Sequence, residues 1–94
     1  ATGNEEIEFC ALVDVLRRAD VDVTVASVES LDTVVLQKGL RIVPDANLEQ
    51  VSDETWDAIV MAGGVPGAMN LAASELLKAV IQRHHADGGL VGAI

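Results

Sequence analysis

Ala58-Ile59-Val60-Met61-Ala62 is an unbroken apolar run closed by the pair Gly63-Gly64, and no other stretch constrains the fold as much. A short run without polar alternation reads as a strand buried on both faces, the kind found in parallel sheets covered by helices on each side. Gly88-Gly89-Leu90-Val91-Gly92-Ala93-Ile94 repeats the pattern after a helix stop. Strands of this type separated by helical material define an α/β chain. Its chemistry is then expected just beyond the carboxyl ends of the strands.

The remaining elements follow from punctuation and period. Gly3-Asn4 opens a first helix, with Asn4 as N-cap and Glu5 and Glu6 complementing the helix dipole. Thr2, three residues ahead of Glu5, offers a capping box as the alternative boundary. This helix is predicted to reach about Ala19. Val21, Val23 and Val25 alternate with Asp22 and Thr24, so the run to Val28 reads as a strand. After Glu29-Ser30-Leu31-Asp32-Thr33, the apolar runs Val34 to Leu36 and Leu40 to Val43 flank Gln37-Lys38-Gly39, which suggests a hairpin. Pro44-Asp45 ends it, and the polar stretch to Asp57 has room for one turn of helix at most. Helical material resumes at Ala68. Ser74 caps a longer helix to Ala86, stopped by Asp87-Gly88. The chain opens just before a helix, with no strand in front, and Ile94 stands inside a strand. Residues 1–94 are therefore expected to be the N-terminal part of a single doubly wound α/β domain, an incomplete fragment of its sandwich.

Composition excludes several functions. Six Lys and Arg against fifteen Asp and Glu leave a formal charge of −9, which repels polyanions and argues against nucleic acid. No apolar run reaches the roughly 20 residues of a membrane helix, and no signal-peptide pattern is visible. A lone cysteine, Cys10, forbids an intrachain disulfide and suits a reducing compartment, so a cytoplasmic location is expected.

Glu8 stands out on the first helix. At 100° per residue, Phe9, Val13, Leu16, Leu12, Ala19, Val15 and Ala11 form one apolar arc, and Glu8 falls inside it. Desolvation there raises a carboxyl pKa toward neutrality unless a donor or cation offsets it, which makes an acid able to exchange protons at physiological pH. The alternative is that the arc is loose near its start and Glu8 reaches water. Gly63 and Gly64, at a strand's carboxyl end, can turn backbone N–H groups toward an anion or a developing oxyanion; an ordinary tight turn is the alternative. Neither the dinucleotide spacing nor the P-loop lysine is present.

Cys10 lies mid-helix on the polar arc with no histidine near it in sequence, so an incidental thiol is the better reading than a nucleophile. His84 and His85 are adjacent and point about 100° apart on a helix, a poor chelating pair, and no metal site is expected.

Taken together, Gly3-Asn4-Glu5-Glu6-Ile7-Glu8, Val13-Asp14-Val15-Leu16-Arg17-Arg18-Ala19 and Val23-Thr24-Val25-Ala26-Ser27 resemble the ThiJ/PfpI superfamily, and within it the parkinsonism-associated protein deglycase branch. Pro44-Asp45-Ala46, Ala62-Gly63-Gly64, Gly67-Ala68 and Gly89 to Ile94 keep the same order and spacing. The resemblance spans essentially the whole chain. It implies a flavodoxin-like sandwich with a nucleophilic cysteine on a strand-to-helix elbow directly after the strand matching Gly89 to Ile94. It also implies that Glu8 hydrogen-bonds that nucleophile as a protonated acid, and that the Gly63 and Gly64 amides face the substrate oxygen. Cys10 matches no catalytic position. The strand that precedes the first helix in the family, and the histidine many relatives place beside the cysteine, have no counterpart here.

The implied activity is cofactor-free conversion of methylglyoxal-type 2-oxoaldehydes (glyoxalase-like), or removal of their early protein adducts (deglycase-like), by a homodimer. Ile7, an apolar residue on the otherwise polar arc, is the group a partner subunit would cover. Two other readings stay open. One is a redox-sensing or chaperone-like stress protein of the same fold. The other is a flavin-binding flavodoxin, suggested by Thr2-Gly3-Asn4 at a helix start, although Tyr is absent and Trp56 is poorly placed to cover a flavin.

Overall fold

The first helix runs over Glu6–Arg18 (α1), as its apolar arc requires, and Ala19 is its C-cap. Its N-cap is Glu5 and not Asn4: the Glu5 carboxylate accepts the Glu8 N–H at 2.9 Å. The capping box from Thr2 does not form, because the Thr2 N–H and Oγ1 both donate to Glu29 at 2.9 and 2.6 Å. Asn4 is instead pulled inside, 4 % exposed.

The computed structural model describes residues 1–30 and 32–94. Leu31, in the predicted turn ahead of the hairpin, lies outside the described residues. After α1 come the strands Ala26–Ser27 (β1), Val34–Val35 (β2), Arg41–Ile42 (β3) and Ala46–Asn47 (β4), then the short helix Leu48–Val51 (α2). Ala58–Met61 (β5), Gly67–Ala73 (α3), Glu75–Ala86 (α4) and Leu90–Ala93 (β6) complete the chain. The described strands form three two-stranded sheets. β1 pairs with β4 and β5 with β6, both parallel, while β2 and β3 make the antiparallel hairpin, Val34 opposite Ile42.

The hairpin turns through Gly39, whose φ of 96° is where glycine is at ease. Ser74 caps α4 as expected, accepting the Leu77 N–H at 3.1 Å. Leu77, Val80 and His84, spaced three and four apart, form its buried stripe.

Three sequence expectations are corrected. The strand read over Val21–Val28 shrinks to Ala26–Ser27 because residues 21–25 have almost no ladder partner; only Val25 is engaged, its carbonyl accepting from Asp45 and Ala46. Asn47 and its neighbour, read as part of a polar loop, pair in parallel with β1. β5 is not buried on both faces: Ala58 and Val60 are exposed, and Ile59 and Met61 are half-buried. Each of these strands is paired along one edge only among the described residues, and the other edge is uncovered. The same shortfall shows on α1, which has no buried residue although its apolar arc is as predicted. The core that does form is Val34, Leu36, Leu48, Leu77 and Val80.

Candidate active site

The carboxyl ends of β5 and β6 and the first turn of α1 meet at one place. The Gly63 carbonyl, just past β5, accepts the Glu5 N–H at 2.9 Å and Asn4 Nδ2 at 2.9 Å. Asn4 Nδ2 also donates to the Ala62 carbonyl at 2.9 Å, and Asn4 Oδ1 accepts from the Ala1 ammonium at 2.7 Å. A buried amide side chain thus ties the start of α1 to the glycine turn. That role for Asn4 left a weak trace in the sequence, since an Asn ahead of a helix reads first as a cap.

The tie sets Glu8 one helical turn on, with its Oε2 accepting the Gly63 N–H at 2.7 Å. The backbone packs so closely that a Cβ on Gly63 would stand 2.6 Å from the Ile94 carbonyl oxygen and 2.8 Å from Glu8 Oε2. Contacts of that length exclude any side chain, so glycine is required by space. Ile94 arrives there on the β6 ladder, its N–H donating to the Met61 carbonyl at 3.2 Å. Gly63 is therefore in contact with both Glu8 and the end of β6. Glu8 itself is half-buried and not sequestered, in keeping with the uncovered face of α1.

Gly64 takes a φ of 89°, the left-handed region, and a Cβ there would sit 2.6 Å from the Glu5 nitrogen. Its carbonyl accepts the Ala68 N–H at 2.7 Å, while its own N–H has no acceptor among the described residues. The two glycine amides thus differ: Gly63 N–H holds Glu8, and Gly64 N–H is free. Spacing alone could not separate them.

The other sequence candidates lie apart from this cluster. Cys10 is exposed and unpaired. His84 is buried with Nε2 2.9 Å from the Leu90 carbonyl, whereas His85 is exposed, and no group of metal-ligating side chains occurs among the described residues. Thr2, whose loop suggested a phosphate cradle, already binds the chain's own anion, Glu29. No described helix is long and apolar enough to cross a membrane.

Parallel strand pairs with helices between them, and a side-chain acid and glycine turn gathered at the strands' carboxyl ends, are the arrangement of a flavodoxin-like α/β protein. The DJ-1/PfpI family profile matches residues 1–94, and the chain belongs to that family. It is 37 % identical over 94 residues to Protein dj-1beta of Drosophila melanogaster, covering all of this chain and 50 % of that one. Over 90 residues it is 40 % identical to the glutathione-independent glyoxalase DJR-1.2 of Caenorhabditis elegans, covering 96 % of this chain and 47 % of that one. The solved structure of Toxoplasma gondii DJ-1, oxidized, superposes with a TM-score of 0.95 at 39 % identity, covering 98 % of this chain and 50 % of that one. The chain spans about half the length of these relatives.

Proposed function

We propose that this chain supplies the acid and glycine-turn half of a cysteine-dependent site acting on 2-oxoaldehydes or their protein adducts. The observation that carries the reading is the contact of Gly63 with both Glu8 and Ile94 at the end of β6. By resemblance, the nucleophilic cysteine follows Ile94. A thiolate there would start beside Glu8 and add to the aldehyde carbon. Glu8 would pass a proton to or from the adduct. Gly63 N–H holds the carboxyl in place. The free Gly64 N–H is the better-disposed donor for the oxygen that gains charge. The name of the C. elegans relative favours the glyoxalase-like form.

Methylglyoxal consumption by the full-length protein and its Glu8→Gln variant tests this reading. General acid–base help is commonly worth about 10²–10⁴-fold, so kcat should fall about a hundredfold or more with the fold unchanged. Wild-type turnover in the variant removes Glu8 from the mechanism. Cysteine sulfinate formation without turnover of any 2-oxoaldehyde favours the redox-sensing form instead.

We also propose that the full-length protein is a homodimer in the cytoplasm. Ile7 on α1 and Val43 just past the hairpin are 76 % and 78 % exposed, and Glu6 ties the start of α1 to the hairpin turn, so neighbouring elements carry uncovered apolar side chains that a partner subunit would bury.

A further inference from the structure

The loop that carries the free Gly64 N–H is held at three successive carbonyls by three different elements. Gly63 accepts from Glu5 and Asn4 at the start of α1, and Gly64 accepts from Ala68 in the first turn of α3. Val65 accepts from Gln37 Nε2, in the turn of the β2–β3 hairpin, at 2.9 Å. No backbone N–H is bonded to the Val65 carbonyl among the described residues, so Gln37 is its one donor there.

Gln37 is exposed, yet its backbone is firmly rooted. Val34 and Leu36, just before it, are 2 % and 3 % exposed in the core. The Gln37 N–H donates to the Asn4 carbonyl at 2.9 Å, and the Leu36 N–H closes the hairpin on the Leu40 carbonyl at 2.8 Å. From that base the side chain reaches a segment 28 residues away in sequence.

What it reaches is a joint. Gly64 has no Cβ and takes a φ of 89°, so its own sterics leave the aim of its N–H open. That aim is set by the neighbouring peptide units. The Gly63 carbonyl shares one planar unit with the Gly64 N–H and points the opposite way, so Glu5 and Asn4 fix one side of the joint. On the other side the Ala68 bond is local, made by the helix into which the loop itself runs. Gln37 is the tie from elsewhere in the fold, and the Val65 side chain, 63 % exposed, supplies little packing that could replace it.

We propose that Gln37 is a positioning residue: by holding the Val65 carbonyl it fixes the direction of the Gly64 N–H, the donor for the oxygen that gains charge. Its part in turnover rests on the site reading given above; its part in holding the loop does not. An exposed hydrogen bond contributes little to stability, so its loss acts through geometry.

The test compares the full-length protein with two variants. Gln37→Met keeps the length of the side chain and lacks a donor, whereas Gln37→Lys restores one. In Gln37→Met the Gly64 amide signal should shift and its order parameter should drop below the rigid value of about 0.85, with the thermal midpoint nearly unchanged. Methylglyoxal kcat should fall roughly tenfold at unchanged KM, because a donor engaged in the transition state acts on kcat, and a misplacement of about 1 Å can cost up to a hundredfold. Gln37→Lys should recover both readouts. An unmoved Gly64 amide in Gln37→Met overturns the proposal whatever the kinetics, and a moved amide with unchanged kcat overturns the part in turnover. A Gln37→Lys protein as impaired as Gln37→Met overturns the hydrogen bond as the cause. If the wild type turns over no 2-oxoaldehyde, the reaction assigned to the site fails, and the amide signals alone still decide whether Gln37 holds the loop.

Discussion

Asn4 and Gly63 hold the site together, and neither could be assigned its part from residue type alone. Asn4→Ala removes both Nδ2 bonds. The Gly63 carbonyl keeps the Glu5 N–H, whereas Asn4 is the only partner of the Ala62 carbonyl among the described residues. A buried acceptor left bare costs about 1–3 kcal/mol. Asn4→Ala should therefore lower the urea midpoint of the full-length protein by a corresponding amount, with little change in slope. Gly63→Ala should do something different. Its Cβ would collide with the Ile94 carbonyl and Glu8 Oε2, both part of the proposed site, so turnover should fall more than stability does. Thermal melts alongside methylglyoxal kinetics separate the two, and unchanged kinetics in Gly63→Ala would show that the contact does not matter to the reaction. Glu8 was legible from the helical wheel, because a carboxylate among Phe9, Leu12 and Val15 is anomalous. Its partner was not, because a bond across 55 residues leaves no local trace.

At the scale of elements, helices and the hairpin could be read from period and caps, while strand lengths could not. A strand exists by its ladder. Residues 21–25 have the right β-branched pattern but few partners, and the two-residue β4 forms because β1 lies beside it. The link between α1 and the hairpin was equally invisible: Glu6 Oε1 accepts the Lys38 N–H at 2.5 Å and the Leu40 N–H at 3.4 Å. Desolvation pushes the Glu6 carboxyl up. The N–H donors from Lys38, its own backbone and Leu40, with the Lys38 ammonium, outweigh it and hold the group below its ordinary value of 4.5. A carboxyl that binds its proton more weakly when folded stabilises the fold above that ordinary value, and the contribution fades as pH falls through the lowered one. The Lys38 and Leu40 amide signals should thus titrate with a midpoint below 4.5, and Glu6→Gln should abolish that titration. A midpoint at or above the ordinary value would show that the link does not form in solution.

Residues 1–94 taken by themselves expose more surface than a compact chain of that size. Folded monomers follow a scaling that gives about 5,200 Å² for a chain of this mass, whereas this one exposes 5926 Å². Ile7 and Val43 belong to the exposed apolar surface. If a second subunit covers it, sedimentation of the full-length protein at micromolar concentration should show a dimer, and Ile7→Glu should shift it to monomer; a wild-type monomer would leave that surface without a partner. The apolar arc of α1 and the strand edges without ladder partners among the described residues are exposed as well. Only Val34, Leu36, Leu48, Leu77 and Val80 among the described apolar side chains are buried, and fully burying such a side chain contributes about 1.5–3 kcal/mol. Folded domains hold only about 5–15 kcal/mol in all, so a core this small leaves little margin over unfolding. Residues 1–94 alone should accordingly show helical circular dichroism but a broad, non-cooperative melt and poorly dispersed amide signals. A sharp two-state transition with well-dispersed NMR signals would show instead that these elements close into a stable unit unaided.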